Sequence, residues 1–512
     1  MKKILLIPLD ERPCNYDFPQ MLAKCTDYEL IIPPRDILGK KKIAGDVEAI
    51  WSWFIENVKS CDDAIISIDT LLFSGIVPSR LHNNSSDVLI AKLERLRDIK
   101  KNHPELNMYV FNLIMRNPTY SSSEEEPDYY GNWGADIHRL GVIEHRKELF
   151  IATEEENAEL EDIVKRLPHE FLGDYLDRRA VNIEVNKKVV ELAAEGLFAL
   201  TLFPQDDASP YGLTAKDQQL IRNEIRRLNI ELCVYMYPDA DAVVNTLLAR
   251  AINKRENKRP LVFVKFACSV GSAVIPDYED RLVGETIKYH ILAAGGLVAS
   301  CATEADIILM VNIPSGKMQD RYTEIDSGIS LPQTPEYNAN RTLIELIEYA
   351  DYAIEKLNKK VVFADIAYCN GGDPLLLRLL RQKGLLWKIA GYAGWNTSSN
   401  SIGTCLPMGM LFAIYGNTDA YRDFLALRYL EDIGFCCIVR RDVIIEELLL
   451  LGLDSYILDG QRGKVAEIVQ KRLQNFADAY LSSKNNKVTV TDCYMPWNRM
   501  FEVGISVDNS LI

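Results

Sequence analysis

The segment Leu200-Thr201-Leu202-Phe203 has strand composition and runs into Gln205-Asp206-Asp207. Two carboxylates at a strand end can divide acid and base work. Burial or a neighbouring charge keeps one protonated while the other stays ionised. Adjacent strand residues point to opposite faces, but a strand that is ending can twist both toward one pocket. The same residues also suit the N-cap of a helix beginning near Thr214, joined by a structural salt bridge. Asp206 and Asp207 are the candidate catalytic pair.

Other strand ends carry polar clusters. Asp10-Glu11-Arg12 lies between Pro8 and Pro13, whose rings fix the backbone, so Asp10 and Arg12 could face a polyhydroxylated or anionic ligand. An internal ion pair uses the same residues. Asp69 follows Ser67-Ile68. Arg116 closes Met108–Ile114, and Arg80 follows Ser79; each arginine is either a clamp for a ligand oxygen or a buried partner of Asp69 and Asp10. Asp239 follows Tyr237-Pro238. Asn370-Gly371-Gly372-Asp373 reads first as a turn. Gly391-Tyr392-Ala393-Gly394-Trp395-Asn396-Thr397 joins tight-turn glycines to an indole face and an amide, a pairing that suits a sugar ring. The start of a packed helix with Asn or Ser caps is the alternative. Asp10, Arg12, Asp69, Arg116, Asp239, Asn370, Trp395 and Asn396 are therefore the candidate substrate-binding residues.

Other chemistries find less support. The six histidines form no HxH or HExxH pattern, and His138 and His145 read as helix-surface residues. No GxSxG elbow, GxGxxG fingerprint or Walker pattern is present. We expect neither a cofactor nor a bound metal, although a carboxylate site for a divalent ion at the strand ends stays open.

These residues need a frame to position them. Apolar runs recur at Lys3–Pro8, Ala64–Ile68, Met108–Ile114, Leu197–Phe203, Glu231–Met236, Leu261–Phe266, Ile307–Val311, Val361–Ile366 and Trp387–Tyr392. Most are apolar throughout, as in strands covered on both faces of a parallel sheet. Amphipathic stretches such as Asp87–Lys100, Glu155–Arg166, Ala215–Asn229 and Thr342–Lys359 intervene. The alternation predicts an α/β fold, with sites at the carboxyl ends of the strands. The strand count favours a (β/α)8-like barrel with a mostly helical C-terminal addition; two doubly wound parallel-sheet domains are the alternative. We expect residues 1–255 to form an N-terminal α/β part carrying the Asp pair. Residues 256–402 would complete the barrel or form a second domain. Residues 403–512 would be helical and end in the strand pair Lys487–Cys493 and Phe501–Val507.

Composition narrows the partners. With 512 residues, 48% hydrophobic and 26% charged, the chain can bury a large core without staples. A net charge of -15 argues against nucleic acid, whose binding draws on Lys and Arg. Lys40-Lys41-Lys42 reads as a solvated loop. The N-terminus lacks the apolar run of a secretory signal, no segment nears the ~20 apolar residues of a membrane span, and eleven cysteines lie scattered. These features predict a cytoplasmic protein with reduced thiols, no membrane partner and a small carbohydrate-like substrate. A homo-oligomer is compatible with them.

The combination PLDERPCNYDFP (Pro8–Pro19), SIDTLLFSGIVPSR (Ser67–Arg80), FPQDDASPYG (Phe203–Gly212), YPDADAVVNTLLAR (Tyr237–Arg250), GYAGWNTSSNSIG (Gly391–Gly403) and PWNRMFEVGI (Pro496–Ile505) resembles the bacterial family known as domain of unknown function 4127. The resemblance covers nearly the whole chain and implies one co-evolved bacterial unit, without an activity. An Asp-Asp pair closing a fourth strand also looks like the substrate-assisted hexosaminidases, which depart from the usual two-carboxylate scheme. That analogy implies Asp206 as the residue orienting a 2-acetamido group and Asp207 as the general acid. The leading expectation is a glycoside hydrolase acting on a small sugar or amino-sugar conjugate. The rivals are a metal-dependent hydrolase or lyase using Asp10, Asp69, Asp206 and Asp365, and a non-catalytic sugar-binding protein.

Overall fold

The computed structural model describes residues 2–319 and 332–511. β1 (Lys2–Ile7), β2 (Tyr28–Ile31), β3 (Asp63–Ser67), β4 (Asn107–Phe111), β5 (Leu200–Gln205) and β6 (Val234–Pro238) form a six-stranded sheet in the order β2-β1-β3-β4-β5-β6. From β1 to β6 its neighbours pair in parallel. β7 (Leu261–Phe266), β8 (Leu297–Val298), β9 (Ile307–Asn312), β10 (Lys360–Asp365) and β11 (Gly391–Ala393) form a second parallel sheet in the order β11-β10-β9-β7-β8. The C-terminal strands β12 (Asn486–Tyr494) and β13 (Gly504–Leu511) pair antiparallel.

The α/β class holds. A closed barrel is not shown: each parallel sheet runs from one edge strand to another, and the strands counted toward one barrel fall in two sheets. Two parallel-sheet domains, the alternative reading, are compatible with this order.

The chain packs as two discontinuous units. Unit 1 comprises Met1–Glu11, Glu29–Ala240 and Tyr278–Asp280; unit 2 comprises Arg12–Tyr28, Asp241–Asp277 and Arg281–Ile512. Helix Pro13–Lys24 follows β1 in sequence, but it packs in unit 2 on helices Val243–Arg255 and Asp419–Tyr429.

The central strands are buried along their length because both faces are covered. Every residue of β3, β5 and β9 is buried. Two strands escaped the apolar pattern. β2 lies at the edge of its sheet and β8 has only two residues, so neither needs a long apolar run. β5 begins at Leu200 rather than Leu197, because the preceding helix ends at Ala194 and Gly196 turns the chain at φ 77°. All eleven cysteines are free. Cys268 is buried, whereas Cys233 is exposed in the turn before β6. Lys41 and Lys42 are not simply solvated: they pair with Glu124 and Asp128 of one neighbouring loop.

Two features place the loops that matter below. In unit 1, Thr70 Oγ1 donates to the carbonyls of Pro8 (2.6 Å) and Leu9 (2.9 Å), joining the carboxyl ends of β3 and β1. In unit 2, Gly394 lies so close to its neighbours that a Cβ would meet Gly372 Cα at 2.8 Å and the Asp365 carbonyl at 2.9 Å. Those are backbone atoms and cannot swing aside. Gly394→Ala should therefore cost about 1–3 kcal/mol, seen as a lower denaturant midpoint. An unchanged midpoint would contradict this close approach.

Candidate functional site

The Asp pair sits in a turn directly after β5, with Asp207 in the left-handed region at φ 41°. The capping account fails. The helix that follows is Leu213–Leu228, its N-cap is Gly212, and no side chain caps it. The salt-bridge account is correct as geometry. Arg80 Nη2 meets Asp206 Oδ2 at 2.5 Å, and Arg116 Nη1 meets Asp207 Oδ2 at 3.0 Å. Both arginines also hold Glu125 and Glu126, at 2.7–3.3 Å. Neither serves Asp10 or Asp69 as its direct partner in these bonds.

The surrounding elements fix Arg116. Its carbonyl accepts from Tyr175 Oη at 2.9 Å and Arg179 Nη1 at 2.8 Å, both on helix His169–Ala194. The residue pair Ile114 and Gln205 extends the β4–β5 pairing by one bridge, which carries the Arg116 loop alongside the Asp pair. A narrow cavity opens here, walled by Asp69, Arg80, Arg116, Asn182 and Asp206.

Electrostatics separate the carboxylates. In these bonds four of them face two guanidiniums. Burial, then the nearby charge of Asp206, pushes Asp207 up to about 7, against the lowering effect of Arg116 and Arg80. Asp69 rises to about 6 through burial, although it accepts hydrogen bonds from Leu113 N at 2.9 Å and Asn112 Nδ2 at 3.2 Å. Unit 1 thus holds two carboxyl groups able to carry a proton near neutral pH. Asp10 and Asp239 are also buried in unit 1, at the ends of β1 and β6, and Asp239 accepts from Ala240 N at 2.7 Å.

The remaining candidates gather in unit 2. Arg12 grips Asp241 through two bonds, at 2.6 and 3.2 Å, and lies 3.7 Å from Glu502. Asn15 (3.0 Å) and Asn396 (3.4 Å) also donate to Asp241. Asn370, Trp395, Asn396 and Asp241 line a pocket with Glu431 and Arg440. Trp395 is only 7% exposed. Its ring packs edge-on against Phe18 and its indole N–H donates to Thr404, so it forms a wall rather than an open platform. Asp365 lies apart from that lining, accepting from Asn312, Tyr392 and Asp373 N at 2.7 Å each.

Glu125, Glu126, Asp241, Glu431 and Arg440 were missed from sequence. The acidic run Glu124-Glu125-Glu126 lies in a polar stretch with no apolar period to place it beside a strand end. Among the described residues no group of three or more His, Cys, Asp or Glu is arranged to hold a metal ion. His138 instead bonds the Asn117 carbonyl, and His145 accepts from Gly212 N.

The raised carboxyls give a pH signature. A carboxyl group whose folded pKa lies above its ordinary value of about 3.9 stabilises the fold below that value. The stabilisation is lost as pH rises through the folded pKa. Stability should therefore decline from about pH 4 to pH 7 through these groups, by roughly 1.4 kcal/mol for each unit of displacement at full weight. Asp207→Asn cannot titrate and should flatten the upper part of that decline in denaturant midpoints taken across pH. An identical pH profile in the variant would contradict the assignment.

The family model described as protein of unknown function (DUF4127) matches residues 4–506, and the chain belongs to that family. No curated protein and no solved structure matches the chain. The hexosaminidase analogy gains no support from these comparisons. Among the described residues no helix is long and apolar enough to cross a membrane.

Proposed function

We propose that this member of the family is an acid/base hydrolase centred on Asp206 and Asp207, with a glycosidic bond of a small sugar or amino-sugar conjugate as its target. The observation that carries the reading is the unequal pair: Asp207 is held toward its protonated form by burial, while Arg80 offsets the charge of its neighbour. Asp207 gives its proton to the leaving oxygen as the C–O bond breaks. The Asp206 carboxylate faces the positive charge that develops on the sugar carbon. Water adds to that carbon and returns a proton to Asp207. Within unit 1, Asp10, Asp69, Arg116 and Asp239 would meet hydroxyl groups. The substrate class rests on carboxylate chemistry and on no relative.

A second reading has its own observation. The two guanidiniums and four carboxylates satisfy one another, as a structural ion network would. The two readings separate in one experiment. Aryl glycosides of glucose and N-acetylglucosamine serve as substrates for the wild-type chain and for Asp207→Asn. Under the catalytic reading the variant keeps its fold and loses about 10²–10⁴-fold in kcat. Turnover retained by a folded Asp207→Asn, or no turnover of any such glycoside by the wild type, overturns it in favour of the network.

A further inference from the structure

A dense run of exposed apolar side chains lies in unit 2. Helical segments Arg440–Val443, Ile444–Leu448 and Leu449–Leu451 follow one another without a break, and Gly452 then turns the chain at φ 68°. Ile445, Leu449, Leu450 and Leu451 on this helix, and Tyr456 and Ile457 beyond the turn, are 40–82% exposed. Single exposed leucines are ordinary on a protein surface, but six large apolar side chains within thirteen positions are not.

Local geometry makes them one surface. Leu453 N donates to the Leu448 carbonyl at 2.9 Å, so the chain folds back at the helix end. Asp454 Oδ1 accepts from Tyr456 N at 2.7 Å and Ile457 N at 3.0 Å, which fixes a tight turn. The Ser455 carbonyl accepts from Met500 N at 2.8 Å. The carbonyl of the next residue, Phe501, accepts from Arg440 at the start of the helix at 3.0 Å. The returning segment therefore runs back toward the first turn, and Tyr456 and Ile457 lie beside the helix that carries Ile445 and Leu449. The charged groups around this face are answered within the chain. Arg472 meets Glu446 at 2.8 Å and Glu447 at 2.5 Å. Arg441 meets Asp442 at 2.9 Å, and Arg462 meets Asp492 at 2.5 Å.

We infer that this face is a docking surface for a second copy of the same chain, the two copies meeting about a two-fold axis. Six side chains exposed to this degree amount to about four whole ones, on the order of 500 Å² of apolar surface per copy. Two copies bring together roughly 1,000 Å², and apolar atoms make up about 60% of an interface, so the whole contact buries roughly 1,600 Å², the standard size of a specific complex. Charge decides between occupants. The chain carries a net charge of -15, so two copies can approach only where the local charge is largely cancelled, and this face meets that condition. An anionic lipid surface is held by unpaired Lys and Arg, and here Arg441, Arg462 and Arg472 each have a carboxylate. A neutral apolar face offers a foreign partner little to select, whereas a two-fold contact needs only a patch that matches itself. The inference stands apart from the role given to Asp207.

Sedimentation velocity on the full chain, from about 0.5 to about 50 µM, tests it. A reversible dimer with Kd on the order of 1–10 µM should appear, because one tyrosine among aliphatic side chains places this area at the weaker end of its range. Leu449→Glu and, separately, Ile457→Glu each put a charge into the contact and should raise Kd about tenfold or more. Both side chains are exposed, so far-UV circular dichroism should not change. Leu232→Glu, on an exposed leucine of unit 1, should leave the dimer as it is. A chain that stays monomeric at about 50 µM, a dimer indifferent to both Leu449→Glu and Ile457→Glu, or one weakened equally by Leu232→Glu overturns the proposal. So does a monomer that floats with vesicles of phosphatidylcholine and phosphatidylserine and loses that binding in Leu449→Glu, which would make a lipid surface the occupant.

Discussion

Two guanidiniums set the terms for unit 1. Arg80 and Arg116 are nearly withdrawn from water at the carboxyl edge of the first sheet, and a buried charge is tolerated only when it is paired and hydrogen-bonded. The chain meets that demand with carboxylates from two places, the turn after β5 and the loop holding Glu125 and Glu126. In these bonds four acids meet two bases, and burial together with the charge of Asp206 pushes Asp207 up to about 7. The same requirement that holds the loops together thus yields a carboxylic acid near neutral pH. Breaking either arginine would strand charges in a dry site, so chemistry and stability are tied here and cannot be varied separately.

Topology explains why the acids lie where they do. In each parallel sheet one early strand sits inside the order, β1 between β2 and β3, and β7 between β8 and β9. Connections leave to opposite sides at such a point, and loops at the carboxyl ends part to open a crevice. Asp10 and Asp69 follow the two strands that flank this point in the first sheet, and Thr70 ties those strand ends together. The carboxyl ends of β10 and β11 carry Asn370 and Asn396 in the second. That second cluster lies toward the edge of its sheet and not at the reversal between β7 and β9, so the two clusters share only their place at the carboxyl ends of strands.

Much of this was legible in the residues. The run Leu261–Phe266 is a strand to the residue, and the fully buried β3, β5 and β9 show why apolar runs mark strands covered on both faces. The polar strand ends stood out against those runs, and Asp206, Asp207, Asp69 and Arg116 do cluster within unit 1. What was not legible was partnership across long separations. Arg12 finds Asp241 some 229 positions away, and Arg80 finds Asp206 some 126 away. No local pattern encodes such a pairing. Closure was equally hidden: a run of parallel strands reads the same whether it closes into a barrel or ends at an edge, since hydrogen-bond order leaves no trace in composition.

Unit 2 shows the opposite solution to the problem of buried charge. Arg428 has no water, and it lies 4.1 Å above the Phe18 ring with Glu431 and Asp432 beside it. The aromatic face takes part of the burden that carboxylates alone carry in unit 1. Glu431 and Asp432 lie three and four residues after Arg428, the spacings at which helical side chains meet, so both reach one guanidinium. Asp432 also accepts from Gly394 N, its carbonyl accepts from Gly372 N, and Glu431 lines the pocket. The π winding of Leu430–Val439 is the setting in which one short segment neutralises a buried arginine, pins two loops and lines a cavity. Arg440, at the end of that segment, is turned instead onto backbone carbonyls. Carbonyl oxygens satisfy its N–H groups through their dipoles, so three backbone segments converge on one side chain.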